Sequence, residues 1–192
     1  LRSLMPDARI MEELKVGGCI ADVAAISPTQ VVLAELKSEK DNLKRLENQS
    51  KFFSASSHLY VVAAHQKFFD MTPYNNGRPR CVENEEFQKA LRGYMPHVWV
   101  YPHIDTVSTE WWEKGFKNSL KRSFLTPSKI LGLCFSKELK AIAKQYGIKL
   151  GRKNSYDLLK EISWKCTGKE ITLAACSQLR GRPISRGDDP IL

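Results

Sequence analysis

Two apolar runs, Cys19-Ile20-Ala21-Asp22-Val23-Ala24-Ala25-Ile26 and Val31-Val32-Leu33-Ala34-Glu35-Leu36-Lys37, are separated only by Ser27-Pro28-Thr29-Gln30. Two such runs joined by a Pro-containing turn predict an antiparallel hairpin, and runs this continuously apolar suit a sheet buried on both faces. The few polar residues inside them are thereby constrained. Side chains alternate along a strand, so Glu35 and Lys37 share one face while Leu36 takes the other. With the turn on Pro28 and Thr29, Asp22 lies opposite the region of Glu35. Two carboxylates and an amine then converge in an apolar hairpin, which is costly unless something pairs them; a cation with an anionic ligand would do so.

Ser38-Glu39-Lys40-Asp41-Asn42 ends the apolar run, and Asp41 reads as the N-cap of a helix over 42–53. Leu43, Leu46, Ser50 and Phe53 follow helical spacing toward the sheet, with Lys44, Arg45, Glu47 and Lys51 outward. Gln49, about two turns in, is placed for its amide to reach the polar cluster. His58-Leu59-Tyr60-Val61-Val62-Ala63-Ala64 reads as a third strand, and Met11-Glu12-Glu13-Leu14 as part of a preceding helix. The predicted order is helix, strand, strand, helix, strand.

In that order, Asp22, Glu35-Leu36-Lys37 and Gln49 resemble the PD-(D/E)XK nuclease superfamily. The string from Ile20 to Val23-Ala24, continuing with Glu35 through Asn48-Gln49, is similar to small stand-alone bacterial and phage proteins related to the MmcB-like group. The resemblance covers residues 9–65. It implies an α/β fold, a restriction-endonuclease-like mixed sheet flanked by helices, and a Mg²⁺- or Mn²⁺-dependent deoxyribonuclease. In that reading Asp22 and Glu35 bind the metal, Lys37 stands near the attacking water, and Gln49 orients the cluster. Glu13 completes the cluster; Glu12 is the competing candidate, about 100° away around a helix. Relatives often carry a basic residue before the metal-binding Asp, and here Ala21 stands there. Hard oxygen ligands suit Mg²⁺ or Mn²⁺, and the metal would acidify a bound water while Lys37 stabilises developing charge. Two rival classes remain. One is a non-catalytic nucleic-acid binder of the same fold; the other is a protein-interaction module of phage or mobile-element origin.

The charge balance suits a polyanionic partner such as DNA: 30 Lys and Arg against 21 Asp and Glu leave +9. Lys40, Arg78, Arg80, Lys149, Arg152 and Lys153 are the candidate phosphate contacts. Arg78 and Arg80 also read as solvated turn residues. Trp111-Trp112 offers either base stacking or packing between core and tail. Five scattered cysteines (Cys19, Cys81, Cys134, Cys166 and Cys176) form no Cys-x-x-Cys pair, and the four histidines lack zinc spacing with them. A reduced, cytoplasmic chain without membrane attachment is expected, since no run approaches the roughly 20 apolar residues of a span. A homo-oligomer is among the expected states of the chain. The start at Leu1 suits removal of an upstream piece.

Three regions are expected: a core over 1–122, a helical region over 123–180 and a flexible tail over 181–192. Residues 70–82 read as a loop, 83–94 as a helix and 98–101 as a further strand. Further helices are predicted over 136–146, from 156 to about 165 with Ser155 as cap, and over 169–179. The string from Leu139 through Gly147 and Lys153 to Leu159 weakly resembles the helix-loop-helix of SAP-type DNA-binding modules, and reads more simply as an ordinary bundle with a charged loop. Arg186-Gly187-Asp188 matches a cell-adhesion tripeptide by chance.

Overall fold

The computed structural model describes residues 1–73, 79–102, 109–183 and 186–191. Its centre is a mixed sheet of five strands: β1 (Arg9–Val16), β2 (Cys19–Ile26), β3 (Val31–Lys37), β4 (Leu59–His65) and β7 (His97–Tyr101), adjacent in that order. β1, β2 and β3 form an antiparallel meander, whereas β3, β4 and β7 run parallel. The change of sense occurs where α1 (Leu46–Ser56) carries the chain from β3 back to the start of β4, since a parallel pair cannot be closed by a tight turn. β5 (Phe69–Pro73) and β6 (Pro79–Glu83) pair as a separate hairpin, followed by α2 (Glu85–Leu91). α3 (Thr109–Arg122), α4 (Pro127–Leu131), α5 (Ser136–Gln145), α6 (Ser155–Lys165) and α7 (Gly168–Gly181) complete the chain. The architecture is the expected mixed α/β sheet flanked by helices, with a helical C-terminal region.

Each face of the sheet is covered. Met11, Leu14, Val16, Ala24, Ile26, Leu33 and Val62 pack on one side with Leu46 and Phe53 of α1, and this core continues into Ile130, Ile142, Leu158, Ile162 and Leu179 of the C-terminal helices. On the other side Ala25, Val32, Ala34 and Val61 meet Phe116 and Leu120 of α3 together with Met5 and Ala8. Strand residues alternate between the two cores, as a doubly covered sheet requires.

The largest departure from the sequence reading lies at residues 9–16, which form an edge strand rather than a helix. Two features explain it. Gly17-Gly18 joins Val16 to Cys19 in a two-residue turn, with Gly17 left-handed at φ +59°. Glu13 is itself left-handed, at φ +55°, which shifts the side-chain alternation by one residue. Arg9 and Met11 before it, and Leu14 and Val16 after it, are therefore all buried while Glu12 and Glu13 both stay exposed. A pattern with two consecutive polar residues imitates helical periodicity. Two smaller corrections follow. Helix α1 begins at Leu46, and Asp41 closes a turn on the Ser38 N–H and hydroxyl instead of capping the helix. The stretch 70–82 contains the β5–β6 hairpin rather than a loop alone.

The stretch read as a flexible tail is tethered to the sheet edge. Buried Arg9 donates to the carbonyls of Arg180 (2.7 Å) and Arg182 (2.6 Å), so its guanidinium supplies donors where α7 runs out of intrahelical ones. Asp188 accepts from the Ile10 N–H and pairs with Arg2, while Arg186 pairs with Glu13. The adhesion-like tripeptide is thus engaged within the fold.

Candidate functional site

The polar cluster forms where the meander opens. β2 and β3 pair from Ile26↔Val31 up to Val23↔Ala34, and at the next position Asp22 takes the Leu36 N–H on its Oδ2 at 2.7 Å. Glu35 and Lys37 point together toward α1, as their spacing dictates. Lys37 Nζ donates to Glu35 Oε1 at 2.6 Å and to Gln49 Oε1 at 3.0 Å, and Gln49 Nε2 donates to the same Glu35 oxygen at 2.6 Å. Glu35 and Lys37 are each only 3% exposed. Glu35 Oε2 has no hydrogen-bond partner. Burial holds the Glu35 carboxyl above the usual range despite the hydrogen bonds from Lys37 and Gln49, and the nearby Asp22 charge adds to the rise. Glu13, on β1 between the Glu12↔Val23 and Leu14↔Ala21 pairs, is exposed and paired with Arg186 at 3.2 Å. Asp22, Glu35, Lys37 and Gln49 are therefore brought together, and Glu13 is turned outward.

The second polar surface is on the C-terminal helices. Residues 127–182 hold twelve Lys and Arg against four Asp and Glu, a net of +8 within a chain of +9. Lys149 and Arg152, on the loop between α5 and α6, are exposed; Lys153 on the same loop is half-buried, bound to Glu161 at 2.6 Å and to the Lys149 carbonyl. An open groove of about 670 Å³ is lined by Lys149, Lys153, Lys160, Trp164 and Lys165. The helices beside it are capped locally: Asn154 and Asp157 close a reciprocal capping box on α6, and Thr167 and Glu170 another on α7. The cap of α6 is thus Asn154, one residue before the expected Ser155.

The remaining nucleic-acid candidates scatter. Lys40 is exposed in the turn after β3, on the sheet rather than the helical region, and Arg80 lies on β6. Arg78 lies outside the described residues. Trp111 and Trp112 fall on α3, and their side chains lie outside the described residues. Sequence reading missed Trp164, 93% exposed at the groove, and Tyr156, 63% exposed on the same helix. Their signal was present: within α6, Tyr156 and Trp164 fall off the Leu158, Ile162 stripe that enters the core. Cys134 and Cys176 are buried thiols pushed up to about 12 by burial, which makes them inert packing groups. Among the described residues no helix is long and apolar enough to cross a membrane.

Fold and charge define an α/β protein whose positive charge is concentrated on an appended helical region. Residues 2–73 match the family described as Bacteriophage P4 protein cII. Over 190 residues the chain is 24% identical to "Protein cII" of Enterobacteria phage P4, covering 98% of this chain and 64% of that protein. The chain spans less than two thirds of that relative's length. No solved structure matches it.

These matches overturn the resemblance to the PD-(D/E)XK superfamily and its MmcB-like members. The span containing Glu13, Asp22, Glu35, Lys37 and Gln49 is matched by a phage cII family, not by a nuclease family. The deoxyribonuclease reading falls with the resemblance, and so do the assignments as enzyme, hydrolase and magnesium-binding protein. The geometry gives the physical reason. Among the described residues no group of three His, Cys, Asp or Glu side chains is placed to hold a metal. Asp22 and Glu35 are two carboxylates, each with one oxygen already engaged, Asp22 by the Leu36 N–H and Glu35 by Lys37 and Gln49.

Proposed function

We propose that this chain is a nucleic-acid-binding protein that engages DNA through its C-terminal helical region without cleaving it. The observation that carries the reading is the concentration of charge: a net of +8 over residues 127–182, with Lys149, Lys153, Lys160 and Lys165 lining one groove. Clustered cations displace condensed counterions from a phosphate backbone, and that release drives binding. The one acidic residue at the groove, Glu161, is held by Lys153 and repels a phosphate less than a free carboxylate would. In this reading the Glu35–Lys37 pair belongs to the fold rather than to chemistry.

The test is fluorescence anisotropy of labelled DNA over a salt series. Four cations engaged with a single strand predict a slope of log K against log salt of about −3, so affinity falls roughly 50-fold between about 50 and 200 mM salt. Lys149→Glu with Lys165→Glu abolishes binding at the higher salt, and Asp22→Ala leaves binding intact. Salt-independent binding, or full affinity in the double charge reversal, refutes the reading.

A further inference from the structure

We propose that the groove beside α6 binds single-stranded nucleic acid, with Trp164 and Tyr156 as base-stacking platforms. The inference rests on the nucleic-acid reading above and names its substrate class. Tyr156, Lys160 and Trp164 recur at four-residue intervals in α6 and so form one stripe along the helix, aromatic, cation, aromatic. Trp164 is 93% exposed and Tyr156 63%, exposures unusual for rings of this size. Leu158 and Ile162 supply the helix's buried contacts, so neither ring is needed to dock it. Lys160 Nζ lies over one face of the Tyr156 ring, 4.4 Å from its centroid, so a base stacks on the opposite face with the cation behind it. Lys149, Lys153 and Lys165 border the groove that Trp164 overhangs.

The residue types decide between strands and duplex. A duplex covers its base faces and offers phosphates and groove edges, to which an exposed indole face adds little. Unpaired bases present a π-face that an aromatic ring covers whatever the base, while lysines follow the backbone. The two rings are about 12 Å apart along the helix axis. That spacing exceeds the roughly 3.4 Å between stacked neighbours of one strand. The strand accordingly crosses the groove extended, and the rings receive non-adjacent bases. Charge complementarity selects a polyanion over an apolar protein segment, since four of the lining residues are lysines.

The experiment uses the full chain with a labelled oligo(dT) of roughly 12 nucleotides and a labelled mixed-sequence duplex of equal length. Trp164→Ala weakens oligo(dT) binding about 5- to 150-fold, Tyr156→Ala by a smaller factor in that range, and Trp164→Phe stays close to wild type. Duplex affinity changes less than about twofold in all three, because its binding depends on the lysines alone. Unchanged melting of the variants confirms that the exposed substitutions leave the fold intact. Wild-type affinity for oligo(dT) in Trp164→Ala overturns the stacking proposal while leaving the nucleic-acid reading standing. Equal losses for strand and duplex also overturn it. Displacement of the oligonucleotide by poly-glutamate at equal charge makes the face a docking site for acidic protein and overturns it too. A wild-type chain that binds neither probe at low salt removes the nucleic-acid reading itself.

Discussion

Replacing Lys37 by Met tests whether the polar cluster is an internal ion pair of the fold. Methionine keeps most of the apolar stem and removes the ammonium, which lies 2.6 Å from Glu35 Oε1 with both residues 3% exposed. Removing one partner of a buried pair costs about 3–5 kcal/mol because the other charge stays buried and uncompensated. Glu35 has one escape, protonation. Relative to an unfolded-state value near 4.3, neutralising it costs about 1.4 kcal/mol per pH unit, so roughly 4 kcal/mol at about pH 7.5 and roughly 1 at about pH 5. The carboxyl is already raised in the intact protein and rises further in the variant. A carboxyl whose folded value lies above its unfolded value destabilises the fold as pH climbs through that window, and the penalty vanishes below the unfolded value. Urea unfolding followed by circular dichroism at the two pH values reads this directly. Lys37→Met is expected to lose about 3–4 kcal/mol near pH 7.5, roughly 6–15 °C in Tm for a chain of this size, and about 1 kcal/mol near pH 5. The double variant Glu35→Gln with Lys37→Met returns to within about 1 kcal/mol of wild type at both. An equal loss at both pH values would refute the electrostatic account and reduce Lys37 to a packing residue.

Three further outcomes follow from the geometry. Gly17→Ala loses about 1–3 kcal/mol in thermal unfolding, because its left-handed φ strains an alanine and the new Cβ would stand 2.5 Å from the Phe52 ring. Glu138→Ala loses about 3–5 kcal/mol in the same assay, since Arg182 is buried and its guanidinium is paired by that carboxylate at 2.5 and 2.6 Å; a loss under about 1 kcal/mol would show the pair to be solvated. Lys149→Ala makes the salt slope of oligonucleotide binding less steep by about 0.7, one phosphate contact on a single strand, and an unchanged slope would place the strand elsewhere.

Much of the architecture was legible because local physics and tertiary context agree there. The Cys19–Ile26 and Val31–Lys37 strands follow from two apolar runs around a turn, and strand alternation puts Glu35 and Lys37 on one face. Gln49 of α1 lies at the cluster because a helix crossing back over a parallel pair passes above that face. The C-terminal helices follow from apolar spacing and capping residues, to within a residue or two at their ends. Function was misread at the same place. Two carboxylates and a lysine in an apolar hairpin demand a partner, and an internal ion pair satisfies that demand as well as a metal does.

What the sequence by itself determined is therefore β2, β3, β4 and β7 with helices α1, α2, α5, α6 and α7, each legible from a pattern shorter than about 15 residues, whereas β1, the β5–β6 hairpin, α3 and α4 were not. Tertiary structure decided the rest. Pairing with β2 across the Gly17-Gly18 turn made an edge strand of a stretch that reads as helix, and left-handed Glu13 within it leaves both Glu12 and Glu13 exposed, with Glu13 paired to Arg186. Arg9, an ordinary surface residue by composition, is buried because the end of α7 arrives from 170 positions away with carbonyls lacking donors. The groove at Trp164 exists only because the loop between α5 and α6 folds beside the outer face of α6. Each of these depends on which distant segment meets a residue, and no local pattern carries that information.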